Sequence, residues 1–278
     1  MVAYLSPNMS LLINAVKKAS ACLDRDFNEI EQLQSSIKGY KEFVKGTYGK
    51  VTKALQTELG KIHPDYPIVA EASKLPSKGA CYLVNPLDGL VNFAHGMPHF
   101  AISVALYENN KITGAVVYNP ALDSLYFAEK GKGAFKEGYR NHERLRVSAR
   151  KELSDALIGT LVAYDKSSDE YDHLQKKIIA ACDNVRVSGS CALDLAYVAS
   201  GKLDAHISLK NNLADYAAGL LLVKEAGGYV YDINQKDIRS ENIDLVINSG
   251  NLIVTYAEFC AKVCGLFKLF LKGTRDEK

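Results

Sequence analysis

The segment 85–93, with the sequence NPLDGLVNF, combines the residues of this chain that are best suited to chemistry. It is typical of a strand end, a tight acidic turn and a helix start. Glu71 follows a short apolar stretch upstream, and Asp215 opens a predicted helix far downstream. Carboxylates in such places are the hard oxygen ligands that Mg²⁺ prefers. A pair of these ions can activate water and hold a phosphate, so the pattern indicates metal-dependent phosphate chemistry.

Each of these acids also has an ordinary structural interpretation. Asp88 and Gly89 form a common turn pair, and Asp215 can cap the helix that follows it. Taken singly, each acid fits the structural interpretation better, and only the set of three points to a metal site. The amides of Gly89 and Leu90 open the next helix, where they could hold a phosphate oxygen.

Hydrophobic periodicity and turn residues divide the chain into alternating elements. Helices are predicted at 9–35, 50–62, 89–94, 168–181, 191–200, 215–226 and 251–271. Strands are predicted at 66–70, 80–84, 100–107, 111–118, 124–129, from 133, and at 156–163, 185–187, 204–208, 229–231 and 245–248. This order predicts α/β layering with a mixed sheet. The charged stretch 140–154 is the candidate boundary between an N-terminal α+β part, residues 1–145, and a C-terminal α/β part, residues 146–278.

The bulk composition of the 278 residues is that of an ordinary globular protein, with a net charge of +2. No secretory signal and no apolar run long enough to span a membrane is visible, so we expect a cytoplasmic protein without membrane contact. The cysteines contain no CxxC pair and are expected to be reduced, buried thiols. They are Cys22, Cys81, Cys182, Cys191, Cys260 and Cys264.

Three other motifs have weaker functional interpretations. His95 and His99 are four residues apart, but Pro98 between them argues against one helical face, which favours loop packing over metal binding. Gly131 and Gly133 suggest a hairpin turn more than a phosphate loop. A basic run could contact RNA or a partner, although a solvated junction is favoured. This run is Arg140, Arg144, Arg146, Arg150 and Lys151.

Nearly the whole chain resembles the inositol monophosphatase family, most closely its bacterial SuhB-like branch. The family's turn D-P-[IL]-D-G-T-x-N-F is similar to residues 85–93, and its E-E-S segment is similar to residues 71–73. Its W-D-x-A-A-G…E-A-G-G signature corresponds to residues 214–228. Residues 189–204, GSCALDLAYVASGKLD, and residues 131–135, GKGAF, are typical of the SuhB-like branch.

The resemblance implies the layered α-β-α-β-α sandwich of the inositol monophosphatase and sugar phosphatase superfamily, a homodimer and a Mg²⁺ cofactor. The implied metal ligands are Glu71, Asn85, the carbonyl of Leu87, Asp88 and Asp215. The implied phosphate-binding residues are Gly89 and Leu90, and the implied substrate-binding residues are Gly189, Ser190 and Cys191.

Several positions depart from the family pattern. The metal-bridging aspartate of the turn is Asn85, which lacks the negative charge needed between two dications. The threonine that orients the attacking water is Leu90, and the aspartate that helps to activate this water aligns with Tyr48. The other departures are Ala72 for a glutamate, Ala214 for a tryptophan and Ser208 for a glutamate that touches sugar hydroxyls. We therefore assign no catalytic residue and expect weakened Mg²⁺ binding.

Two functions follow from the resemblance. In the first, which we favour, the chain is a slow or inactive phosphatase homologue with a binding role, of the kind that links the SuhB-like branch to ribosomal-RNA transcription and antitermination. Its partners would then be a transcription complex or RNA. In the second, it is an active Mg²⁺-dependent inositol-1-monophosphatase with rearranged ligands, acting on a small phosphate monoester.

Overall fold

The computed structural model describes residues 5–33, 40–76, 78–162, 169–209, 211–232 and 252–255. The helices are α1 (Pro7–Leu33), α2 (Tyr40–Ile62), α3 (Leu90–Ala94), α4 (Asp169–Ala181), α5 (Cys191–Ala199) and α6 (Leu213–Glu225). The first seven strands are β1 (Ile68–Val69), β2 (Ala80–Asp88), β3 (Ala101–Glu108), β4 (Lys111–Asn119), β5 (Ser124–Glu129), β6 (Gly133–Lys136) and β7 (Glu143–Arg144). The others are β8 (Leu157–Val162), β9 (Asn184–Arg186), β10 (Ala205–Leu209), β11 (Tyr229–Asp232) and β12 (Leu252–Thr255).

The first sheet contains β1 to β7 in sequence order. β1 pairs with β2 in parallel, and each later strand runs antiparallel to its predecessor. The turn between β3 and β4 has Asn109 at φ 50° and Asn110 at φ 62°. Asparagine tolerates this left-handed conformation better than most residues, which confirms the predicted hairpin.

The second sheet has the strand order β11-β12-β10-β8-β9. β8 is parallel to both β9 and β10, whereas β12 is antiparallel to β10 and β11. The predicted helix at 251–271 is therefore wrong at its start, because Leu252–Thr255 is a strand. Its sequence LIVT is rich in β-branched residues, which favour extended backbone. The rest of that prediction and the predicted strand at 245–248 lie outside the described residues.

Five layers build the molecule. Helices α1 and α2 cover one face of the first sheet, where Leu23, Leu55 and Phe100 are buried in one cluster. Helices α5 and α6 pack on the opposite face and also contact the second sheet, through β10 and β11. Ile178 of α4 packs with Ile158 on the far face of the second sheet. The predicted α-β-α-β-α sandwich is confirmed.

Helix α2 begins ten residues earlier than the predicted helix, which started at residue 50. Two glycines and a threonine lower helix propensity in this stretch and concealed its beginning. Tertiary contacts outweigh that propensity, since Thr47 is buried and its hydroxyl donates to Asp26 Oδ2 at 2.8 Å. The same carboxylate oxygen accepts from Lys50 Nζ at 2.7 Å, which ties α2 to α1.

The two sheets lie on either side of the predicted boundary near residue 145. One buried cluster contains residues from both sides, so the division into parts 1–145 and 146–278 stays a prediction. Cys81 and Cys191 are buried free thiols, Cys22 and Cys182 are half-buried free thiols, and Cys260 and Cys264 lie outside the described residues. Among the helices that the structure describes, none is long and apolar enough to cross a membrane.

Candidate functional site

A bulge at the end of β2 brings Asn85 and Asp88 together. Asn85 pairs with Ser103 and Asp88 with Ala101, so β2 holds one residue more than β3 between these two pairs. Residues three apart in a regular strand point to opposite faces, but an extra residue resets this alternation. Asn85 Nδ2 consequently lies 3.5 Å from Asp88 Oδ1. Proline is tolerated at such a bulge, and Pro86 lies within it.

Gly89 allows the chain to turn directly after Asp88. Its φ is +83°, and a Cβ there would lie 2.8 Å from the carbonyl oxygen of His99. Only glycine fits both the backbone conformation and this close approach. Helix α3 starts at Leu90, whose side chain is 44% exposed. The predicted phosphate-binding role of the Gly89 and Leu90 amides stays a prediction.

Asp88 is a buried carboxyl group held by the start of α5. Ser190 Oγ and the amide of Ala192 both donate to Asp88 Oδ2, the latter at 2.8 Å. Burial raises the pKa of Asp88 to about 7, although these two hydrogen bonds act in the opposite direction and the nearby Asp215 adds to the rise. The side chain is thus fixed in position while its negative charge is destabilised.

Asp215 has two roles in the structure. Its carboxylate accepts from the amide of Asn212 at 3.1 Å, within a capping box at the start of α6. The structural interpretation of Asp215 as a helix-capping residue is therefore correct in part. Its other oxygen accepts from Asn85 Nδ2 at 2.8 Å. Burial raises the pKa of this carboxyl group as well.

The Asn85 amide occupies the space between the two carboxylates. Its Nδ2 donates to Asp215 and approaches Asp88, and its Oδ1 accepts from the amide of Leu87 at 3.1 Å. We call Asn85, Asp88 and Asp215 the carboxylate cluster. An amide N–H in this position satisfies the two acids without a cation, and an aspartate could not donate in the same way.

The backbone at Glu71 lies beside the carboxylate cluster, but the Glu71 side chain does not join the cluster. The carbonyl of Ala70 accepts from the amide of Ala214 at 3.2 Å, which places this loop next to the start of α6. The Glu71 carboxylate instead pairs with Lys74 Nζ at 2.9 Å and is 53% exposed. The hydrogen bond from Lys74 lowers the pKa of Glu71.

Tyr48 lies at the edge of the carboxylate cluster. Its side chain is 41% exposed, and burial together with the charge of Asp215 raises the pKa of its hydroxyl. The alignment of Tyr48 with the family's water-activating aspartate stays a prediction. Ala214 and Ser208 are both buried.

The predicted substrate segment, Gly189 to Cys191, packs against the carboxylate cluster through Ser190. Gly189 has φ +83°, and a Cβ there would lie 3.0 Å from Asn92 Nδ2. Ser190 caps α5 by accepting from the amide of Leu193 and also holds Asp88. The thiol of Cys191 is fully buried, and burial raises its pKa. Contact of this segment with a substrate stays a prediction.

Sequence reasoning missed two polar groups next to Cys191. His206 Nε2 lies 3.6 Å from the thiol, and Asn211 Nδ2 lies 3.7 Å from it. Behind them, Asp194 Oδ2 is 3.1 Å from His206 Nδ1. The available signal was a histidine within the apolar strand β10, since a histidine there requires a buried partner.

Two of the weaker motifs have structural explanations. The amides of Gly131 and Gly133 donate to the two oxygens of Glu225, each at 2.8 Å, so this turn binds a carboxylate of the chain itself. The antiparallel pairing of β5 with β6 on either side of this turn confirms the predicted hairpin. In the basic run, Arg150 pairs with Asp204 at 3.1 Å.

The arrangement of these donors does not fit a two-metal centre. Within the described part of the chain, no group of three or more histidine, cysteine, aspartate or glutamate side chains is close enough to hold a metal. Asp88 and Asp215 converge, but an N–H group lies between them and Glu71 is paired with Lys74. A single cation would require the Asn85 amide to turn its oxygen inwards.

Comparison with known proteins agrees with this architecture. The model of the inositol monophosphatase family matches residues 5–264. The chain is 43% identical over 229 residues to the inositol-1-monophosphatase of Rhizobium meliloti, which covers 81% of this chain and 85% of the relative. It is 34% identical over 262 residues to the Nus factor SuhB of Xylella fastidiosa, covering 90% and 92% respectively.

A solved structure gives the same result. The crystal structure of the extragenic suppressor protein suhB from Bartonella henselae superposes with a TM-score of 0.79 at 33% identity, covering 95% of this chain and all of that chain. With a family match over most of its length, this chain belongs to the inositol monophosphatase family.

Proposed function

We propose that this chain is a family member with impaired phosphatase chemistry that acts mainly through binding. The observation that carries this proposal is the hydrogen bond of 2.8 Å from Asn85 Nδ2 to Asp215 Oδ1. The neutral Asn85 amide thus lies between Asp88 and Asp215. Two dications held close together would need a negative charge at this position. Mg²⁺ would then bind as one weak ion, held by Asp88, Asp215 and the Asn85 oxygen.

The expected loss of water activation supports the same proposal. Tyr48 and Leu90, at the two water-orienting positions implied by the resemblance, carry a phenol and an alkyl group. Loss of a positioned general base alone costs about 10²–10⁴-fold in rate. Mg²⁺, if bound, would supply electrostatic stabilisation to a phosphate, while Tyr48 and Leu90 would offer the attacking water neither the carboxylate nor the aliphatic hydroxyl that the resemblance implies at these positions.

A regulatory role of the SuhB type is the binding function that the comparisons favour. Relatives in Xylella fastidiosa and Escherichia coli, at 34% and 32% identity, are named Nus factor SuhB. We propose that this chain likewise acts as a homodimer on a ribosomal-RNA transcription complex. The exposed part of the basic run offers cations for an RNA or an acidic partner.

A direct test is the release of phosphate from inositol 1-phosphate by the purified chain in saturating Mg²⁺. We expect turnover orders of magnitude below the range of about 1–10³ s⁻¹ that is typical of enzymes. A rate within that range would overturn the proposal.

The regulatory role needs its own test, by transcription of a ribosomal-RNA leader in a purified system with and without the chain. We expect increased read-through, and the same increase with Asp88→Asn, because this role does not use the carboxylate cluster for catalysis. No effect of the wild-type chain, or an effect lost in Asp88→Asn, would contradict the proposed role.

The second candidate is an active inositol-1-monophosphatase with rearranged ligands. It is favoured by the convergence of Asp88 and Asp215 on one point, and by the name of the 43% identical relative. In this case the Asn85 amide would rotate when Mg²⁺ binds, and the Asp88→Asn variant would lose all phosphate release.

A further inference from the structure

The turn between β6 and β7, residues 137–142, lies at the edge of the first sheet and is held at both ends. At its start, Glu137 pairs with Lys17 Nζ of α1. At its end, the His142 ring lies edge-on to Phe127, with 5.0 Å between the ring centres. These contacts brace the turn against the body of the chain.

The tip of this turn presents an exposed aromatic ring. Tyr139 is fully exposed. The chain folds back sharply beside it, since a Cβ at Gly138 would lie 2.3 Å from the carbonyl oxygen of Asn141. Glycine is the residue that permits such a close approach. A single exposed tyrosine needs no functional explanation, so its meaning depends on the side chains around it.

Three arginines follow the tip without acidic partners. Arg140, Arg144 and Arg146 are exposed, and none of them forms an ion pair with a residue that the structure describes. Arg150, further along the same run, is already paired. Exposed guanidinium groups without a partner are available to an anion, and their planar shape matches the oxygens of a phosphate. We call Tyr139 and these three arginines the arginine–tyrosine edge.

The local charge of this region differs from that of the whole chain. Residues 136–151 contain six lysines and arginines and two glutamates, which gives this segment a net charge of +4. The whole chain has a net charge of only +2. One of the two glutamates, Glu137, is neutralised by its pairing with Lys17. The positive charge of the molecule is therefore concentrated at this edge, which favours a polyanionic partner.

The exposed side chains of this segment fit a nucleic acid better than a protein. A protein interface has an apolar core from which water is excluded. Within residues 136–151, all of which the structure describes, Tyr139 is the one exposed large hydrophobic side chain. Single-stranded nucleic acids, by contrast, are held by cations along the backbone and by aromatic rings on which bases stack. A duplex hides the faces of its bases, so an exposed ring favours a single strand.

We infer that the arginine–tyrosine edge binds single-stranded nucleic acid, which is RNA in the regulatory role proposed above. Tyr139 would stack on an unpaired base, and the three arginines would contact neighbouring phosphates. The inference rests on that role, because it names the surface through which the chain would engage the RNA. It does not use the carboxylate cluster.

The test is a fluorescence anisotropy titration of a labelled, unstructured oligouridine with the full-length chain. Three phosphate contacts should give a slope of about −2 for the logarithm of the association constant against that of the salt concentration, since each contributes about −0.7. The triple variant Arg140→Gln, Arg144→Gln, Arg146→Gln should flatten this slope and raise the Kd at least about tenfold. Tyr139→Ala should raise the Kd about fivefold or more, and Tyr139→Phe should leave it unchanged, because a phenyl ring still stacks.

The matched control removes the same number of charges from another exposed surface. Lys41→Gln, Lys45→Gln, Lys53→Gln changes three exposed lysines of α2 and should leave the Kd for the oligouridine unchanged. Equal weakening in this control, no detectable binding by the wild-type chain at low salt, or an unchanged Kd in the triple arginine variant would overturn the inference. Tighter binding of polyglutamate than of the oligouridine would also overturn it, and would assign the edge to an acidic protein.

The transcription assay separates this inference from the role on which it rests. Read-through that persists in the triple arginine variant, with oligouridine binding also unchanged, would overturn the inference and leave the regulatory role standing. Oligouridine binding that is lost in this variant, while the wild-type chain has no effect on read-through, would support the arginine–tyrosine edge and overturn the role.

Discussion

Asp88 and Glu71 belong to the same implied metal site, yet their surroundings are opposite. Asp88 is buried and accepts two hydrogen bonds from the start of α5. Glu71 is largely exposed and pairs with Lys74, three residues further along its own loop. We call the carboxylate cluster and its donors from α5 the floor of the site, and Glu71, Tyr48 and Leu90 its rim. The floor is thus fixed by packing between the two halves of the chain, whereas Glu71 in the rim depends on local surface interactions. Asp88 and Asp215 converge in the floor, and our proposal places the impairment of the chemistry at Asn85 and around it.

The largest expected effect comes from restoring floor and rim together. The triple variant Tyr48→Asp, Asn85→Asp, Leu90→Thr returns the bridging charge and both water-orienting groups. Residues of one catalytic unit are strongly non-additive, so the triple variant should release phosphate from inositol 1-phosphate at least about 10²-fold faster than any single variant. Initial rates in saturating Mg²⁺ measure this.

Full activity in Asn85→Asp alone would show that Tyr48 and Leu90 do not occupy the water-activating positions. The matched control is Tyr48→Asn, Asn85→Asp, Leu90→Val, which changes the same three positions but restores only the bridging charge. It should show no gain over Asn85→Asp.

The next effect concerns the stability of the floor. Asp88→Leu removes the acceptor of two buried donors, Ser190 Oγ and the Ala192 amide. An unsatisfied buried donor costs about 1–3 kcal/mol, so the free energy of unfolding should fall by about 2–4 kcal/mol. Asp88→Asn keeps an acceptor oxygen and should cost clearly less. Urea unfolding compares the two variants, and equal losses would indicate that these hydrogen bonds do not hold the floor.

A smaller effect is expected on Mg²⁺ affinity when the partner of Glu71 is removed. Lys74→Ala frees the Glu71 carboxylate to turn towards Asp215 and should tighten Mg²⁺ binding. The gain should be a factor of about five at most, because exposed ion pairs are weak. Lys78→Ala, on the same loop, serves as the control. If Mg²⁺ affinity fell in Lys74→Ala, Lys74 would be a contributor to the site and not a competitor for Glu71.

The smallest effect is expected on stability when Glu71 is changed, because the fold should not depend on this side chain. Glu71→Gln should leave the midpoint of urea unfolding unchanged, since this exposed side chain contacts only its own loop in the described structure. A clear loss of stability would show that Glu71 has a structural role beyond its contact with Lys74.

The sequence predicted the strand, the tight turn and the helix start around residues 85–93 because the determinants of these elements are local. Gly89 permits the left-handed turn after Asp88, whereas the bulge that contains Pro86 was not predicted. The role of Ser190 was harder to predict, because its contact with Asp88 joins residues about a hundred positions apart. The orientation of Glu71 could not be predicted, since an exposed glutamate three residues before a lysine has a local alternative to any distant ligand.

The errors in the elements have similar causes. The early start of α2 depends on Asp26, a residue of another helix that holds Thr47 and Lys50. The strand β12 gains its hydrogen bonds from β10 and β11, so neighbours in the sheet select its conformation. Periodicity within one segment contains no information about either interaction.

The central claim is that the carboxylate cluster cannot hold two dications, and a calorimetric titration of the purified chain with Mg²⁺ tests it most directly. We predict at most one weak site per chain, because the Asn85 amide places a donor between Asp215 and Asp88. This site should be lost in Asp88→Asn, and a second site should appear with Asn85→Asp. Two tight sites in the wild-type chain would contradict the account.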